Sequence, residues 1–111
     1  MARCDEGYVC EVCGRPVVGV ADSDLYLRYV LGEASAAELP GAAERHLRCN
    51  PALSQFIDDD RFDAPAVAGP FGRASLDAAF VAAEVARVTA GYGRLRDAVR
   101  LRLPIEDYPA G

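Results

Sequence analysis

The most regular hydrophobic pattern in the chain lies in its last third. Apolar residues recur there at intervals of three or four, at Ala78, Val81, Val85, Val88, Tyr92, Leu95, Val99 and Leu103. This spacing is close to a heptad seam and predicts a long amphipathic helix over residues 75–103, with Ser75 or Asp77 as its N-cap. Gly91 and Gly93 fall inside it, and each costs about 1 kcal/mol relative to alanine in a helix interior. A kink or a break at these glycines therefore stays open.

The first half of the chain has shorter apolar runs. Residues 15–20 predict a short strand that closes a hairpin. Residues 25–31 carry aromatic and β-branched side chains typical of a strand, but an Asp-Ser-Asp run ahead of them and a glycine behind them favour a helix. Residues 50–57 predict a second short helix, with Asn50 as its cap and Pro51 at its first position.

Composition divides the chain into four segments. Residues 1–57 hold all four cysteines and the single histidine. Residues 58–74 are rich in Asp, Pro and Gly and predict a linker or surface loop. The predicted helix follows over residues 75–103, and residues 104–111, which contain two prolines, predict an extended tail.

Bulk properties narrow the classes of protein to consider. The chain has 111 residues, a net charge of −5 and no lysine, so all 12 basic residues are arginine. A net negative charge argues against non-specific binding to nucleic acid or anionic membranes by the whole surface. The N-terminus lacks the apolar run of a signal peptide, and no stretch approaches a membrane span. We therefore expect a cytoplasmic protein with reduced thiols, in which four cysteines indicate a metal site before they indicate disulfides.

Two short motifs carry the chemistry. Cys10 and Cys13 form a C-x-x-C pair that Gly14 follows, and His46 and Cys49 form an H-x-x-C pair. A C-x-x-C turn can aim two sulfur atoms at one centre, and residues three apart share one face of a helical turn. Thiolate and imidazole donors suit Zn²⁺, which binds four ligands in a tetrahedron. The sequence therefore predicts one structural zinc ion per chain.

These motifs resemble those of the treble-clef and zinc-ribbon group of zinc fingers. In that group a C-x-x-C knuckle supplies two ligands, and a second pair at or near a helix start supplies the other two. The resemblance covers about residues 8–57 and implies Cys10, Cys13, His46 and Cys49 as the ligands. It differs in the 32 residues between the pairs and in the histidine of the second pair. The expected fold is α+β, a small zinc-knuckle module followed by a long C-terminal α-helix.

Alternatives to this site remain at the level of sequence. Cys4 could replace His46 to give four cysteine ligands, or the C-x-x-C pair could be a redox motif without a metal. A catalytic zinc site needs an open position and usually a nearby base, whereas four protein ligands with three thiolates close the site. We therefore expect no enzymatic activity. The run Asp58-Asp59-Asp60 lacks the spacing of a calcium loop and predicts a solvated acidic loop.

Charge is distributed unevenly along the chain. Residues 87–102 carry five arginines against one aspartate, for a local charge of +4, whereas residues 1–63 carry 12 acids and six arginines. The first hypothesis is a zinc-binding protein that presents a surface to protein partners and forms a homodimer through the helix, because about 42 Å of helix exceeds what a small core covers. The second is a nucleic-acid-binding regulator that uses the arginines, and the third is a thiol–zinc redox sensor.

Overall fold

The computed structural model describes residues 9–109 as a helical fold with almost no strand. Its α-helices are α1, Asp24–Val30, α2, Pro51–Ser54, and α3, Ala78–Arg100. Five 3-10 helices accompany them in the described part, at Val20–Asp22, Ala36–Gly41, Leu47–Cys49, Arg73–Ser75 and Ile105–Asp107.

The strand expected over residues 15–20 does not form. Pairing between extended segments in residues 9–109 is limited to two isolated antiparallel bridges, Val9 with Pro16 and Ser23 with His46. Pro16 has no N–H to extend a ladder, and the chain turns into a 3-10 helix at Val20. The mixed α+β architecture of a treble clef is therefore not confirmed, while the long C-terminal helix is.

Helix α1 is confirmed where the sequence favoured it. Ser23 is its N-cap, and the Ser23 Oγ accepts a hydrogen bond from the Tyr26 amide at 3.2 Å. Gly32 follows the helix with a φ of 83°. This backbone conformation terminates helices, and residues other than glycine rarely adopt it. Leu25 and Leu27 are fully buried, so this short amphipathic helix forms the centre of the core.

Helix α2 is shorter than residues 50–57. Pro51 occupies its first turn as expected, but the Asn50 side chain makes no capping hydrogen bond. Instead, Asn50 Nδ2 donates to Asp24 Oδ1 at 2.8 Å, which ties the start of α2 to the start of α1. A long-range polar contact has thus replaced the local one.

Helix α3 runs without a break through both glycines. Its N-cap is Asp77, whose carboxylate accepts from the Phe80 amide at 3.1 Å. Gly91 is buried where α3 crosses α1: a Cβ at this position would overlap Leu31 Cδ2 and lie 3.1 Å from Leu31 Cγ. A Cβ on Gly93 would meet nothing within 4 Å. Close helix packing therefore explains Gly91 and leaves Gly93 without a steric role.

The core joins segments that differ in composition. Val88, Tyr92 and Leu95 of α3 are buried in the same cluster as the leucines of α1. Phe62, from the acidic loop, packs on Tyr92 with ring centroids 5.6 Å apart. The N-terminal half of α3 is more open, and Ala78 and Ala82 are exposed there.

The C-terminal segment is folded back onto the core. Residues Ile105–Asp107 form a 3-10 helix, and Tyr108 is buried with its ring 6.1 Å from that of Tyr26. The Tyr29 hydroxyl donates to the Ile105 carbonyl at 3.0 Å. The expectation of an extended tail is therefore wrong for residues 105–108, because aromatic burial and hydrogen bonding fix them.

Candidate metal centre

The four predicted ligands come together in one cluster. The Sγ atoms of Cys10, Cys13 and Cys49 and a ring nitrogen of His46 all lie within 4.8 Å of one another. Cys10 and His46 are buried, Cys49 is half-buried and Cys13 is exposed. No other group of three or more His, Cys, Asp or Glu side chains within residues 9–109 could hold a metal ion. The acidic run at residues 58–60 accordingly forms no second site.

The first ligand pair lies on a tight turn. The Cys10 amide donates to the Arg15 carbonyl and the Gly14 amide donates to the Cys10 carbonyl, both at 2.9 Å. Gly14 has a φ of 76°, which glycine adopts without a steric cost. The glycine after Cys13 therefore has the role that the motif requires, since it lets the backbone reverse while both sulfur atoms face one side.

The second pair lies at the start of the 3-10 helix Leu47–Cys49. His46 is its N-cap residue, and the Cys49 amide donates to the His46 carbonyl at 3.0 Å. The bridge to Ser23 holds His46 from one side, and the His46 amide approaches Cys10 Sγ at 3.5 Å. One backbone segment thus brings the histidine against the first cysteine.

The histidine ring has two different environments. Its Nδ1 lies 3.3 Å from Cys13 Sγ and 3.8 Å from Cys49 Sγ, among the sulfur atoms. Its Nε2 lies 2.9 Å from the Pro16 carbonyl oxygen, which can accept a hydrogen bond but cannot donate one. Nε2 therefore carries the proton, and the Nδ1 lone pair faces the sulfurs. A ligating histidine commonly donates its other N–H to a carbonyl or carboxylate in this way.

The thiols have divergent acidities. Burial raises the pKa of Cys10, but amide hydrogens of Cys13, His46 and Val12 outweigh it and lower the pKa to about 6. Burial, together with the neighbouring thiols Cys10 and Cys13, raises the pKa of Cys49 to about 11. Cys10 is therefore prepared as a thiolate, and a bound cation would be needed to ionise Cys49. The donor set and its acidities fit a metal ion.

A buried acid connects this cluster to α1. Asp24 is fully buried, accepts from Arg28 Nε at 3.0 Å and from Asn50 Nδ2 at 2.8 Å, and lies 3.6 Å from Arg45 Nε. Its amide donates to the Arg45 carbonyl, directly before His46. The sequence showed Asp24 only as one residue of a capping run, because nothing local distinguishes the carboxylate that turns inward.

Glu44 is a second buried acid that the sequence did not indicate. Its carboxylate accepts from the Ser23 hydroxyl at 2.8 Å, and its carbonyl accepts from the Glu11 amide at 2.9 Å. Burial raises the pKa of Glu44; the Ser23 hydroxyl lowers it, and the charge of Asp24 raises it further. The two ligand-bearing segments are therefore held by polar contacts as well as by any metal.

Several arginines of the predicted basic helix have internal partners. Arg87 forms ion pairs with Glu33 and Glu84, both at 2.9 Å. Arg94 donates to two backbone carbonyls of the C-terminal segment. These contacts neither require nor exclude nucleic acid, so the nucleic-acid hypothesis stays a prediction. The redox hypothesis and the alternative ligand Cys4 also stay untested, since Cys4 lies outside the described residues.

Comparisons add no relative to this picture. No protein-family model, no curated protein and no solved structure matches the chain. Among the helices of residues 9–109, none combines the length and the apolar character needed to cross a lipid bilayer. The interpretation of the cluster therefore rests on its own geometry.

Proposed function

We propose that this chain is a non-enzymatic zinc-binding protein in which one structural Zn²⁺ supports a protein-interaction surface. The observation that carries the proposal is the convergence of the four ligand atoms within 4.8 Å, from two motifs 32 residues apart. Three sulfurs and one imidazole nitrogen form the donor set of closed structural zinc sites. When bound, the ion supplies a cross-link between the two segments.

The ligand set favours a structural role over a catalytic one. Four protein donors leave no position for a water molecule, and three thiolates reduce the Lewis acidity of the ion. The chain has no second histidine that could act as a base. The ion would instead hold the turn at Cys10 against His46. The hydrogen bond from the Asp24 amide to the Arg45 carbonyl would connect this cross-linked region to α1.

Metal analysis tests this part directly. The protein purified without chelator is expected to contain one zinc per chain by mass spectrometry under native conditions. His46→Ala and Cys10→Ser are expected to lose it, whereas Cys4→Ser retains it. Zinc-free wild-type protein, or full zinc content in His46→Ala, would overturn the proposed site. Zinc loss in Cys4→Ser would instead show that Cys4, and not His46, is the fourth ligand.

For the interaction surface, we place self-association at the N-terminal half of α3. The deep part of the predicted seam, at Val88, Tyr92 and Leu95, is already covered by the chain's own core. The upper part lines an open groove, which we call the α3 groove, formed by Arg73, Ala74, Leu76, Ala78, Val81, Ala82 and Val85. A second copy would cover these small apolar side chains with its own, as two-fold interfaces do.

Two neighbouring alanines provide a matched test. Ala82 lines the groove, whereas Ala83 lies two residues from both Val81 and Val85, on the opposite side of the helix. Both are exposed, so a glutamate at either position keeps the fold. Sedimentation is expected to show a wild-type dimer that Ala82→Glu dissociates and Ala83→Glu preserves. A monomeric wild type, or equal behaviour of the two variants, would refute self-association at this groove without bearing on the zinc site.

A further inference from the structure

Three arginines from distant parts of the sequence line one cavity beside the metal centre. Arg48 lies between His46 and Cys49, Arg61 lies in the acidic loop, and Arg96 lies on α3. The cavity that they share has a volume of about 490 Å³. The chain has a net charge of −5, yet three of its 12 arginines line this one cavity.

The three guanidinium groups differ in how they are satisfied. Arg61 is paired with Asp59, at 2.7 Å between Nη2 and Oδ2. Within residues 9–109, neither Arg48 nor Arg96 has a carboxylate partner within ion-pair distance. The buried Nε of Arg96 has no hydrogen-bond partner among the described residues. An unpaired buried donor is destabilising, so this group would gain from an acceptor.

Aromatic side chains form another part of the wall. The Arg96 guanidinium lies over the Tyr92 ring at 5.7 Å from its centroid, and Arg96 Nη1 donates to the Tyr92 hydroxyl at 3.3 Å. Phe62 packs on the same tyrosine and also lines the cavity. Tyr92 therefore orients the guanidinium from beneath, and Phe62 provides an apolar surface, which a bare inorganic anion would not use.

Two carboxylates set a limit on the charge of the ligand. Asp22 and Asp63 line the same cavity, and their negative charges partly offset the positive charges of the arginines. They would repel a polyanion, but they can accept hydrogen bonds from hydroxyl or amino groups. The cavity therefore suits a molecule with one anionic group, an aromatic body and several polar hydrogens. Its volume falls in the range of small-molecule sites.

From this lining we infer that the cavity is a binding site for a nucleoside monophosphate. Arg48 and Arg96 would hold the phosphate, since guanidinium groups bind phosphate oxygens through paired N–H donors. The base would lie against Phe62, which packs on the buried Tyr92, and the carboxylates of Asp22 and Asp63 would accept hydrogens from the sugar or the base. None of the four proposed metal ligands lines this cavity, although Arg48 shares their segment and Asp22 Oδ2 lies 4.0 Å from His46 Nε2.

Titration calorimetry of the metal-loaded chain of 111 residues tests this inference. The probes are adenosine, guanosine, cytidine and uridine 5′-monophosphates, with adenosine, ribose 5-phosphate and inorganic phosphate as partial ligands. At least one monophosphate is expected to bind saturably, and at least tenfold more tightly than each partial ligand. Arg48→Gln and Arg96→Gln should each weaken binding about 10- to 100-fold, which corresponds to the loss of a charged hydrogen bond.

Arg100→Gln is the matched control, because Arg100 lies on the same helix but pairs with Asp97 outside the cavity. It should bind as the wild type does. Arg48 is exposed, so Arg48→Gln should fold and still tests the site if Arg96→Gln fails to fold. No saturable binding at millimolar nucleotide, equal affinity for inorganic phosphate, equal weakening by Arg100→Gln, or binding of single-stranded oligonucleotides alone would each overturn the inference.

Discussion

Replacing the two helix glycines with alanine, one at a time, should change stability by clearly different amounts. Both lie inside α3, where alanine is favoured over glycine by about 1 kcal/mol. At Gly93 a new Cβ meets nothing within 4 Å, so Gly93→Ala should stabilise the protein by about 1 kcal/mol. At Gly91 the same gain opposes the overlap of the new Cβ with Leu31.

The cost at Gly91 can be bounded from its surroundings. Leu31 Cγ would lie 3.1 Å and Leu27 Cδ1 3.6 Å from the added atom, and Leu27 is fully buried. Overpacking of a core by such an atom costs about 1–3 kcal/mol. After the gain in helix propensity, Gly91→Ala should lie about 0–2 kcal/mol below the wild type, and about 1–3 kcal/mol below Gly93→Ala.

Urea unfolding followed by circular dichroism measures both free energies of unfolding. A double-mutant cycle with Leu31→Ala then isolates the contact: once the leucine is shortened, Gly91→Ala should become stabilising, as Gly93→Ala is. Equal stabilisation by the two single variants would refute the argument that close approach of α1 and α3 requires Gly91. A cycle without coupling between Gly91 and Leu31 would refute the assignment of the overlap to that leucine.

Three further predictions concern buried polar groups. Asp24→Asn weakens the ion pairs that Arg28 and Arg45 make with a fully buried carboxylate and should cost about 3 kcal/mol in urea unfolding. Burial raises the pKa of Glu44, so this carboxyl stays protonated to a higher pH in the native state than in the unfolded chain, and its contribution to the free energy of unfolding falls as pH rises above about 4.5. Glu44→Gln should therefore gain stability over the wild type progressively from pH 4 to pH 7. A stability difference that stays constant with pH would contradict this. Gln55 is buried and accepts from the Arg73 amide at 3.0 Å, so Gln55→Ala should lose about 2 kcal/mol and accelerate hydrogen exchange at Arg73.

The sequence predicted the features that depend on short spacings. In the C-x-x-C and H-x-x-C pairs, the interval of three residues determines how the two side chains of each pair are placed. The structure brings all four side chains together. The cap-and-glycine pattern around residues 25–31 likewise favoured a helix over a strand, and α1 forms there. Local spacing suffices in these cases because the residues that determine the structure are neighbours in the chain.

Features that depend on distant contacts were missed. Intrinsic propensity left a break at Gly91 open, whereas packing against α1 makes the helix continuous. The prolines of the C-terminal segment suggested an extended tail, whereas Tyr108 is buried against Tyr26. The inward turn of Asp24 had no local signal, since its partners come from other segments. Each of these outcomes is decided by tertiary contacts that no interval in the sequence records.

The distance between the two ligand pairs has a consequence for the unfolded chain. A metal ion held by both pairs would close a loop over residues 14–45, and α1 lies inside that loop. By the relation used for disulfides, closing a loop of this length removes conformational entropy worth about 4 kcal/mol from the unfolded state. Loop entropy grows slowly, at about 0.6 kcal/mol for each doubling of length. The segment Ala36–Gly41, which is exposed except at Leu39, should therefore tolerate insertions with little loss of stability, which makes it a suitable place to attach a reporter.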